Sequence, residues 1–405
     1  MIYIVGRLGM GYPVGMAPTA RVHAYARGLR AAGHEVTVVC STPSEAPGSV
    51  ARNTETSGEH NGILFLYAAG TTVYAHSFIA RQLQIARGLL VACQAILRRN
   101  RAHDDVEAIM LYPDSIPSAV LLRGVSRWCR APLLLEKNEL PVIHRPSGGF
   151  FRVTLPVYER VAYRLFDGIV VISAFLEQYM APLTSRRARL LRIPILFDAE
   201  ASPEGIGSEV HDSEPGLIVY AGSLSEQKDG VLTLITAFGR VAALCSDARL
   251  VVIGGSPLQA DYLAADQAVK DAGLESHVQF TGPIPRSRVF EWLLRASVLV
   301  LPRPDSPQAR AGMPTKLSEY LASGTPVVMT RIGEQSLCLV DGETAFFVAP
   351  GSVDELTDAL LRALADRDAA IAVGAAGRTY ALAEFDAEKH GKRLSEFIAH
   401  LAQSR

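Results

Sequence analysis

Short β-branched runs alternate with longer helix-patterned stretches along almost all of this 405-residue chain, and no other feature narrows its fold as far. In the first half the apolar runs are IYIV (2–5), EVTVVC (35–40), ILFLY (63–67), AIMLY (108–112), PLLLE (132–136) and GIVVIS (168–173). Helical periodicity fills the gaps at 17–32, about 77–99, 116–130 and 150–165. Strands apolar on both faces, with helices between them, predict a parallel sheet covered on both sides. The segment APTARVHAYARGLRAAG, closed by Gly33 as its C-terminal cap and followed by a buried strand, is one such unit.

The alternation breaks at FDAEASPEGIGSEVHDSEPG (197–216), which is rich in Pro, Gly, Ser and acidic residues and has no apolar period. Such a stretch predicts an interdomain linker. The pattern restarts at GLIVYAG (216–222), RLVVIGG (249–255), VQFTG (278–282), SVLVLP (297–302), TPVVMT (325–330) and AFFVAP (345–350), and a last helix covers about 385–403. A chain this long exceeds what one hydrophobic core usually serves. The expected organisation is an α/β domain at 1–198, a linker at 199–215, a second α/β domain at 216–384, and a terminal helix at 385–405 packing back toward the first domain. Doubly wound sheets bind ligands at the carboxyl ends of their strands, and with two such domains the cleft between them is the expected site.

A net charge of −1 gives no reason to expect a nucleic-acid partner. The halves differ, however. Through residue 200 there are 22 Lys+Arg against 15 Asp+Glu, and beyond it 18 against 26, so +7 and −8 sum to −1. Either the first half meets something anionic, or its arginines are solvated helix surface. The five cysteines (40, 93, 129, 245, 338) form no CxxC pair and read as reduced core residues. MIYIVG begins directly as a strand, with no secretory signal, and no apolar run reaches a membrane span. The expected location is cytoplasmic. IARQLQIARGLLVACQAILRRNR (79–101) is basic at both ends and apolar between, which fits a helix packed on the sheet or one lying on an anionic membrane.

Two segments carry chemistry. In YAGSLSEQKDGVLTLITAF (220–238) a strand ends, Gly222 turns, and a helix is expected from about Gly230. Lys228 then lies in a strand-to-helix loop, where it is either a solvated charge or a cation for phosphate. In AGMPTKLSEYLASGTPVV (311–328) a helix is expected near Pro314, which suits a first helical turn. Lys316 would sit at the positive end of that helix dipole, where a cation is disfavoured unless an anion is also present. Amides near Thr315, Lys316 and Leu317 could cradle such an anion. Glu319, one turn on, could accept hydrogen bonds from sugar hydroxyls.

Together YAGSLSEQKDG, FTGPIPRSRVFEWL (280–293), VLVLP (298–302) and PTKLSEYLASGTPVV resemble, in order and spacing, the retaining nucleotide-sugar-dependent glycosyltransferases of family 4. The resemblance extends to the N-terminal loop and DGIVVISAFL (167–176). It implies the GT-B fold, two Rossmann-like domains facing across a cleft, with the donor on the second and the acceptor on the first. It implies that Lys228 binds the donor diphosphate and stabilises the departing phosphate. Glu319 matches the second glutamate of the family's Glu-x7-Glu element and would hold the ribose. Thr315, Lys316 and Leu317 match the helix start that meets the diphosphate, after Gly222 at the strand end. Pro283 and Ile284 would pack against the nucleobase, and Gly15 lies in the Gly-rich loop that approaches the donor.

Two departures from the pattern stand out. The family's usual arginine beside the first strand of the second domain is here Ser223, for which Arg303 or Arg310 could substitute. The first glutamate of Glu-x7-Glu falls at Ala311, as in a branch with the P-x-K-x-x-E-Y pattern. On the acceptor side, EKNELPVIHRP (136–146) groups polar residues in one expected loop, where Glu139 or His144 could steer an acceptor hydroxyl. Asp114, in LYPDS, lies at a comparable strand end. No metal-ligand spacing is visible, and the resemblance implies no metal and no cofactor beyond a nucleoside-diphosphate sugar as co-substrate, with a UDP-sugar favoured. The implied partners are that donor and a saccharide or lipid-linked acceptor, such as a cell-envelope polysaccharide. The alternatives are a nucleotide-sugar 2-epimerase of the same fold and a non-catalytic nucleotide-sugar-binding subunit.

Overall fold

The computed structural model describes all residues except 7–10, 16, 113–114, 142–160, 198–212, 257 and 405. Most of the expected linker, and most of the helix expected at 150–165, lie outside the described residues. Two compact units emerge: Met1–Leu196 with Ala387–Arg405, and Phe197–Asp386.

Unit 1 is built on an eight-stranded sheet in the order β3-β4-β2-β1-β5-β6-β7-β8. Its strands are β1 (Ile2–Gly6), β2 (Val36–Cys40), β3 (Ser57–His60), β4 (Ile63–Tyr67), β5 (Ala108–Tyr112), β6 (Leu133–Lys137), β7 (Gly168–Val171) and β8 (Arg189–Arg192). All neighbours pair in parallel except β3, which runs antiparallel to β4. The sequence pattern does not announce β3 or β8. SGEH and RLLR are short, polar-ended edge strands whose outer side needs no apolar residues.

The helices of unit 1 are α1 (Ala17–Ala31), α2 (Phe78–His103), α3 (Ile116–Cys129) and α4 (Ala174–Met180). The step from β1 to β2 runs one way along the sheet, and those from β4 to β5 and β5 to β6 run the other. Right-handed crossovers therefore put α1 on one face and α2 and α3 on the opposite face. The last helix, Ala387–Gln403, lies against α1 and sends Leu394, Ile398 and Leu401 into the core that holds Ile2, Val38, Tyr25 and Leu29. Glycines permit that approach. A Cβ on Gly391 would stand 2.1 Å from the Gly28 carbonyl carbon, and one on Gly28 would stand 2.1 Å from the Ala387 carbonyl oxygen.

Unit 2 carries a six-stranded sheet in the order β11-β10-β9-β12-β13-β14, parallel throughout. Its strands are β9 (Leu217–Ser223), β10 (Arg249–Gly255), β11 (Val278–Gly282), β12 (Val298–Leu301), β13 (Val327–Thr330) and β14 (Phe346–Val348). Between them run α5 (Glu226–Asp229), α6 (Val231–Leu244), α7 (Gln259–Asp271), α8 (Arg286–Arg295), α9 (Pro307–Ala311), α10 (Lys316–Ala322) and α11 (Gln335–Cys338), and after β14 come α12 (Val353–Ala365) and α13 (Arg367–Glu384). Ile218, Val252, Val300 and Val328 from the sheet meet Leu234, Phe238 and Leu360 from the helices in one core. The strand order reverses between β9 and β12, the topological switch point at whose carboxyl ends such sheets take ligands.

Cys40, Cys93 and Cys129 are buried, Cys245 and Cys338 half-buried, and none of the five is in a disulfide. Among the described residues no helix is long and apolar enough to cross a membrane.

Candidate functional site

At the switch point of unit 2, β9 ends in Ala221, Gly222 and Ser223. Tyr220 lies wholly buried beneath this end and donates its phenol hydrogen to the Ser223 carbonyl at 2.6 Å. Tyr320, from α10, accepts the Ala221 N–H at 2.6 Å. Two tyrosines thus pin the strand end from below, and neither figured in the sequence reading because buried aromatics in α/β sheets are usually core.

The lysine that looked misplaced at a helix start turns back to this floor. Lys316 Nζ lies 4.7 Å from the centre of the Tyr220 ring, donates to the Tyr220 hydroxyl at 3.3 Å, and stands 3.4 Å from Asp229 Oδ1. Both partners are shielded, with 19% of the lysine side chain and 5% of the aspartate exposed. Burial holds the Lys316 pKa down to about 8. The positive charges of Arg303 and Lys228 push the same way, against the carboxylate of Asp229. Burial, with Asp229 next, drives the Tyr220 phenol well above its ordinary value, so it stays a neutral donor.

Gly222 is demanded by this arrangement: a Cβ there would lie 2.0 Å from Lys316 Nζ and 2.5 Å from the Tyr220 hydroxyl. Gly254, at the matching point of β10, has φ +116°, and a Cβ there would come within 2.1 Å of the Gly222 carbonyl oxygen.

Lys228 is exposed on the short helix α5, not in the simple loop expected. Glu226 braces that turn by accepting from the Leu232 N–H at 2.6 Å and the Thr233 hydroxyl at 2.7 Å, which also caps the start of α6. The turn closes at Gly230 (φ +75°), where a Cβ would meet the Pro302 carbonyl oxygen at 1.9 Å. The Lys228 turn therefore rests on the end of β12, next to Arg303.

Arg303 and Arg310 separate cleanly. Arg303 is buried, and its charge reaches both Lys316 and Tyr220. Arg310 is exposed and forms a two-pronged pair with Asp305, with distances of 2.6 and 2.5 Å. The charges of Lys228 and Arg303 thus bear on Lys316, which itself faces the Asp229 carboxylate.

The helix start needs correction. It falls at Lys316 rather than near Pro314, and the Leu317 N–H already donates to the Pro314 carbonyl at 3.0 Å. Leu317 is a core residue, and the amides left at the start are those of Thr315 and Lys316. Glu319 is partly exposed, and its Oε1 accepts from Arg286, with Nε at 3.0 Å and Nη2 at 2.7 Å. Pro283 is exposed and Ile284 half-buried after β11, and a Cβ on Gly255 would touch Pro283 at 3.5 Å. Ala311 is fully buried at the end of α9.

In unit 1, Glu136 and Lys137 belong to β6 and not to the polar loop expected at 136–146. Glu136 is fully buried and takes the Arg21 Nε–H at 2.6 Å, while Arg21 also donates to the Tyr25 hydroxyl and to the Ile193 and Pro194 carbonyls. Burial raises the Glu136 pKa, with Arg21 opposing. Lys137 lies 5.8 Å from the Tyr163 ring centre. Asn138 donates to the Tyr112 hydroxyl at 2.9 Å, and half-buried Glu139 follows it, its charge adding to the burial that lifts the Tyr112 phenol. Asp114 and His144 lie outside the described residues. Gly15 closes the loop after β1: a Cβ there would lie 1.8 Å from Thr19 Oγ1, which donates to the Gly11 carbonyl at 2.6 Å. Among the described residues no group of three His, Cys, Asp or Glu is placed to hold a metal.

Comparisons with known proteins agree with one another. Residues 17–195 match the family described as "Glycosyl transferase 4-like domain", and residues 215–366 match "Glycosyl transferases group 1". A GDP-mannose-dependent alpha-(1-6)-phosphatidylinositol monomannoside mannosyltransferase of Mycobacterium tuberculosis is 27% identical over 317 residues, 75% of this chain and 78% of the relative. Sucrose-phosphate synthase from Thermosynechococcus elongatus superposes with a TM-score of 0.72 at 19% identity, covering 99% of this chain and 100% of that one. HepE from Anabaena, solved with UDP-glucose, gives 0.67 at 15% identity, covering 98% and 99%.

Proposed function

We propose, for a chain that belongs to the family-4 glycosyltransferases of GT-B fold, transfer of a sugar from a nucleoside-diphosphate sugar to a hydroxyl acceptor, with retention of configuration and without a metal. The observation that carries this reading is the gathering of cations at the β9/β12 switch point. Lys228 and Arg303 bear on Lys316, which stands 3.4 Å from Asp229, and the three together offer positive charge where a diphosphate would sit.

The chemistry asked of the site is modest. The bond from the sugar's anomeric carbon to the donor phosphate breaks, and a bond to the acceptor oxygen forms on the same face. The acceptor's proton passes to the leaving phosphate oxygen, so no separate strong base is required. Charge grows on the leaving diphosphate, and preorganised donors there dominate catalysis; losing one costs about 3–4 kcal/mol. Exposed Lys228 follows the phosphate, while Arg303 takes the part of the arginine missing at Ser223. The Thr315 and Lys316 amides add to the diphosphate site, Glu319 holds the ribose, and Pro283 with Ile284 faces the base. Gly15 belongs to the donor-facing loop of unit 1, and Glu139 with Asp114 and His144 serves an acceptor that is a lipid-linked saccharide or a cell-envelope polysaccharide.

A UDP-sugar is the donor we assign. GDP-mannose is the second reading, favoured by the name of the mycobacterial relative. A thermal-shift panel of UDP- and GDP-sugars separates them, because the true donor stabilises by mass action. Lys228→Ala turning donor over at a near-normal rate would overturn the mechanism. Conversion of donor alone to its 2-epimer would favour an epimerase, and tight donor binding without transfer to any acceptor would favour a binding subunit.

A further inference from the structure

We propose that the solvent-facing sides of α2 and α3 together form a docking surface for an anionic lipid bilayer. Sequence periodicity offered only the first of these helices. The structure sets both on one face of the unit 1 sheet and packs them side by side, with the Arg101 guanidinium 5.9 Å from the centre of the Trp128 ring.

Helix α3, IPSAVLLRGVSRWC, carries large apolar residues on its outward side as well as its inward one. Only one side is covered. Ala119, Leu122 and Val125 are buried, while Val120 is 52% and Trp128 63% exposed, and a Cβ on Gly124 would touch nothing within 4 Å. Helix α2 in turn exposes Phe78 (74%), Ile79 (73%), Leu83 (66%) and Leu90 (53%), the last three on one helical stripe. Large apolar side chains clustered in this way on water-facing helices mark an interaction surface.

Charge selects the occupant. The two helices span 26 and 14 residues, carry seven arginines, and contain no aspartate or glutamate at all. Arg99 and Arg123 are paired with Asp105 and Asp167, whereas Arg87, Arg98, Arg101 and Arg127 lie on the exposed side. A second copy docked about a two-fold axis would set this arginine-bearing face, with no acidic residue on either helix, against an identical one. A bilayer rich in anionic lipid satisfies both halves of the surface, taking the apolar side chains among its acyl chains and the arginines among its phosphates. Tryptophan suits that boundary. Both helices follow strands whose carboxyl ends form the ligand edge of unit 1, so a docked bilayer would present lipid-linked acceptors there. That consequence rests on the transfer reading, but the docking itself does not.

The test is flotation of the full chain with vesicles of phosphatidylcholine alone and of phosphatidylcholine mixed with phosphatidylglycerol, at low and high salt. Retention on the anionic vesicles, released by salt, is expected. Two variants, Leu83→Ser/Val120→Ser and Arg87→Gln/Arg98→Gln/Arg101→Gln, should each lower partitioning roughly tenfold or more. Their circular dichroism and UDP-induced thermal shift should match the parent, which shows that they are folded. Equal binding to both vesicle types, or variants that partition like the parent, would overturn the proposal. So would an apolar variant that only turns a dimer into a monomer, since the face would then be a protein interface. A parent that floats but shows no thermal shift with UDP, GDP or any of their sugars would sink the transferase reading and leave the docking surface standing.

Discussion

Removing the charge of Lys316 should make unit 2 more stable at neutral pH while depriving it of its ligand. The Lys316 side chain is 19% exposed, and its carboxylate partner stands 3.4 Å away, too far for a tight ion pair. Burial outweighs that partner and brings the lysine from its ordinary 10.5 to about 8. Between those two values the unfolded chain holds a proton that the folded chain has released. Stability therefore rises as pH climbs through that window, and below it the buried charge keeps the fold weaker than a neutral side chain would. At about 1.4 kcal/mol per pH unit, the charge costs about 3 kcal/mol at pH 7.

Methionine preserves the bulk of Lys316 but strands Asp229, so Lys316→Met/Asp229→Asn is the cleaner perturbation. Exchanging a buried ion pair for neutral groups commonly gains about 1–4 kcal/mol, and for this weakly compensated pair a gain of about 1–3 kcal/mol is expected at pH 7. For a unit of this size that is about 2–4 °C in melting temperature per kcal/mol. The gain should close as pH approaches about 10, where the wild-type lysine has lost its proton. Thermal unfolding at both pH values, with and without UDP, reads stability and ligand binding in one experiment. UDP should raise the wild-type melting temperature and leave the variant nearly unmoved. A variant less stable than wild type at both pH values, or one that UDP stabilises as strongly as wild type, would refute the reasoning.

Other substitutions probe the same site and its scaffold. Gly222→Ala puts a methyl 2.0 Å from Lys316 Nζ and should cost about 1–3 kcal/mol of stability together with most of the UDP affinity, read by calorimetric titration. Lys228→Ala should lower kcat by about two to three orders of magnitude, whereas Arg310→Ala, removing a surface cation already held by Asp305, should leave turnover within about twofold in the same assay. Gly391→Ala drives a methyl into the Gly28 backbone at 2.1 Å, so thermal melts should show a loss of about 1–3 kcal/mol confined to unit 1, with UDP-induced stabilisation of unit 2 intact.

The central strands could be read from the chain because they are apolar on both faces, as the fully buried Ile2, Val38, Leu134 and Val252 attest. Edge strands β3 and β8 could not, since one side of each faces water and SGEH or RLLR carries no period to detect. The same physics divides the candidate site. Lys228 and Glu319 stand out in sequence because polar residues at strand ends and helix starts are unusual enough to notice. Asp229 was passed over beside Lys228, although its burial next to Lys316 decides the local charge. Glu226 reads as one more acidic loop residue until its carboxylate is seen capping α6. Glu136 misled in the opposite direction: standing where the PLLLE run meets a polar one, it reads as part of the loop, yet it lies inside β6 and pairs with Arg21 across 115 positions of sequence. No local pattern encodes a partner that distant.

Ser223 and Ala311, the two departures from the family pattern, have different consequences. A cation missing at Ser223 need not leave the diphosphate poorly held, because positive charge acts through space and two other elements supply it. Arg303 arrives from the end of β12, and Lys316 reaches back from α10 to lie over Tyr220. Ala311 cannot be compensated in that way. A glutamate that grips a sugar works through directed hydrogen bonds, and these require an acceptor at a particular point. The fully buried methyl of Ala311 offers none. On the proposed reading, the phosphate end of the donor is therefore the better defined half of this site. Discrimination among sugars should accordingly be weaker than discrimination for the nucleoside diphosphate, and UDP alone should account for most of the stabilisation that a UDP-sugar gives in the melting assay.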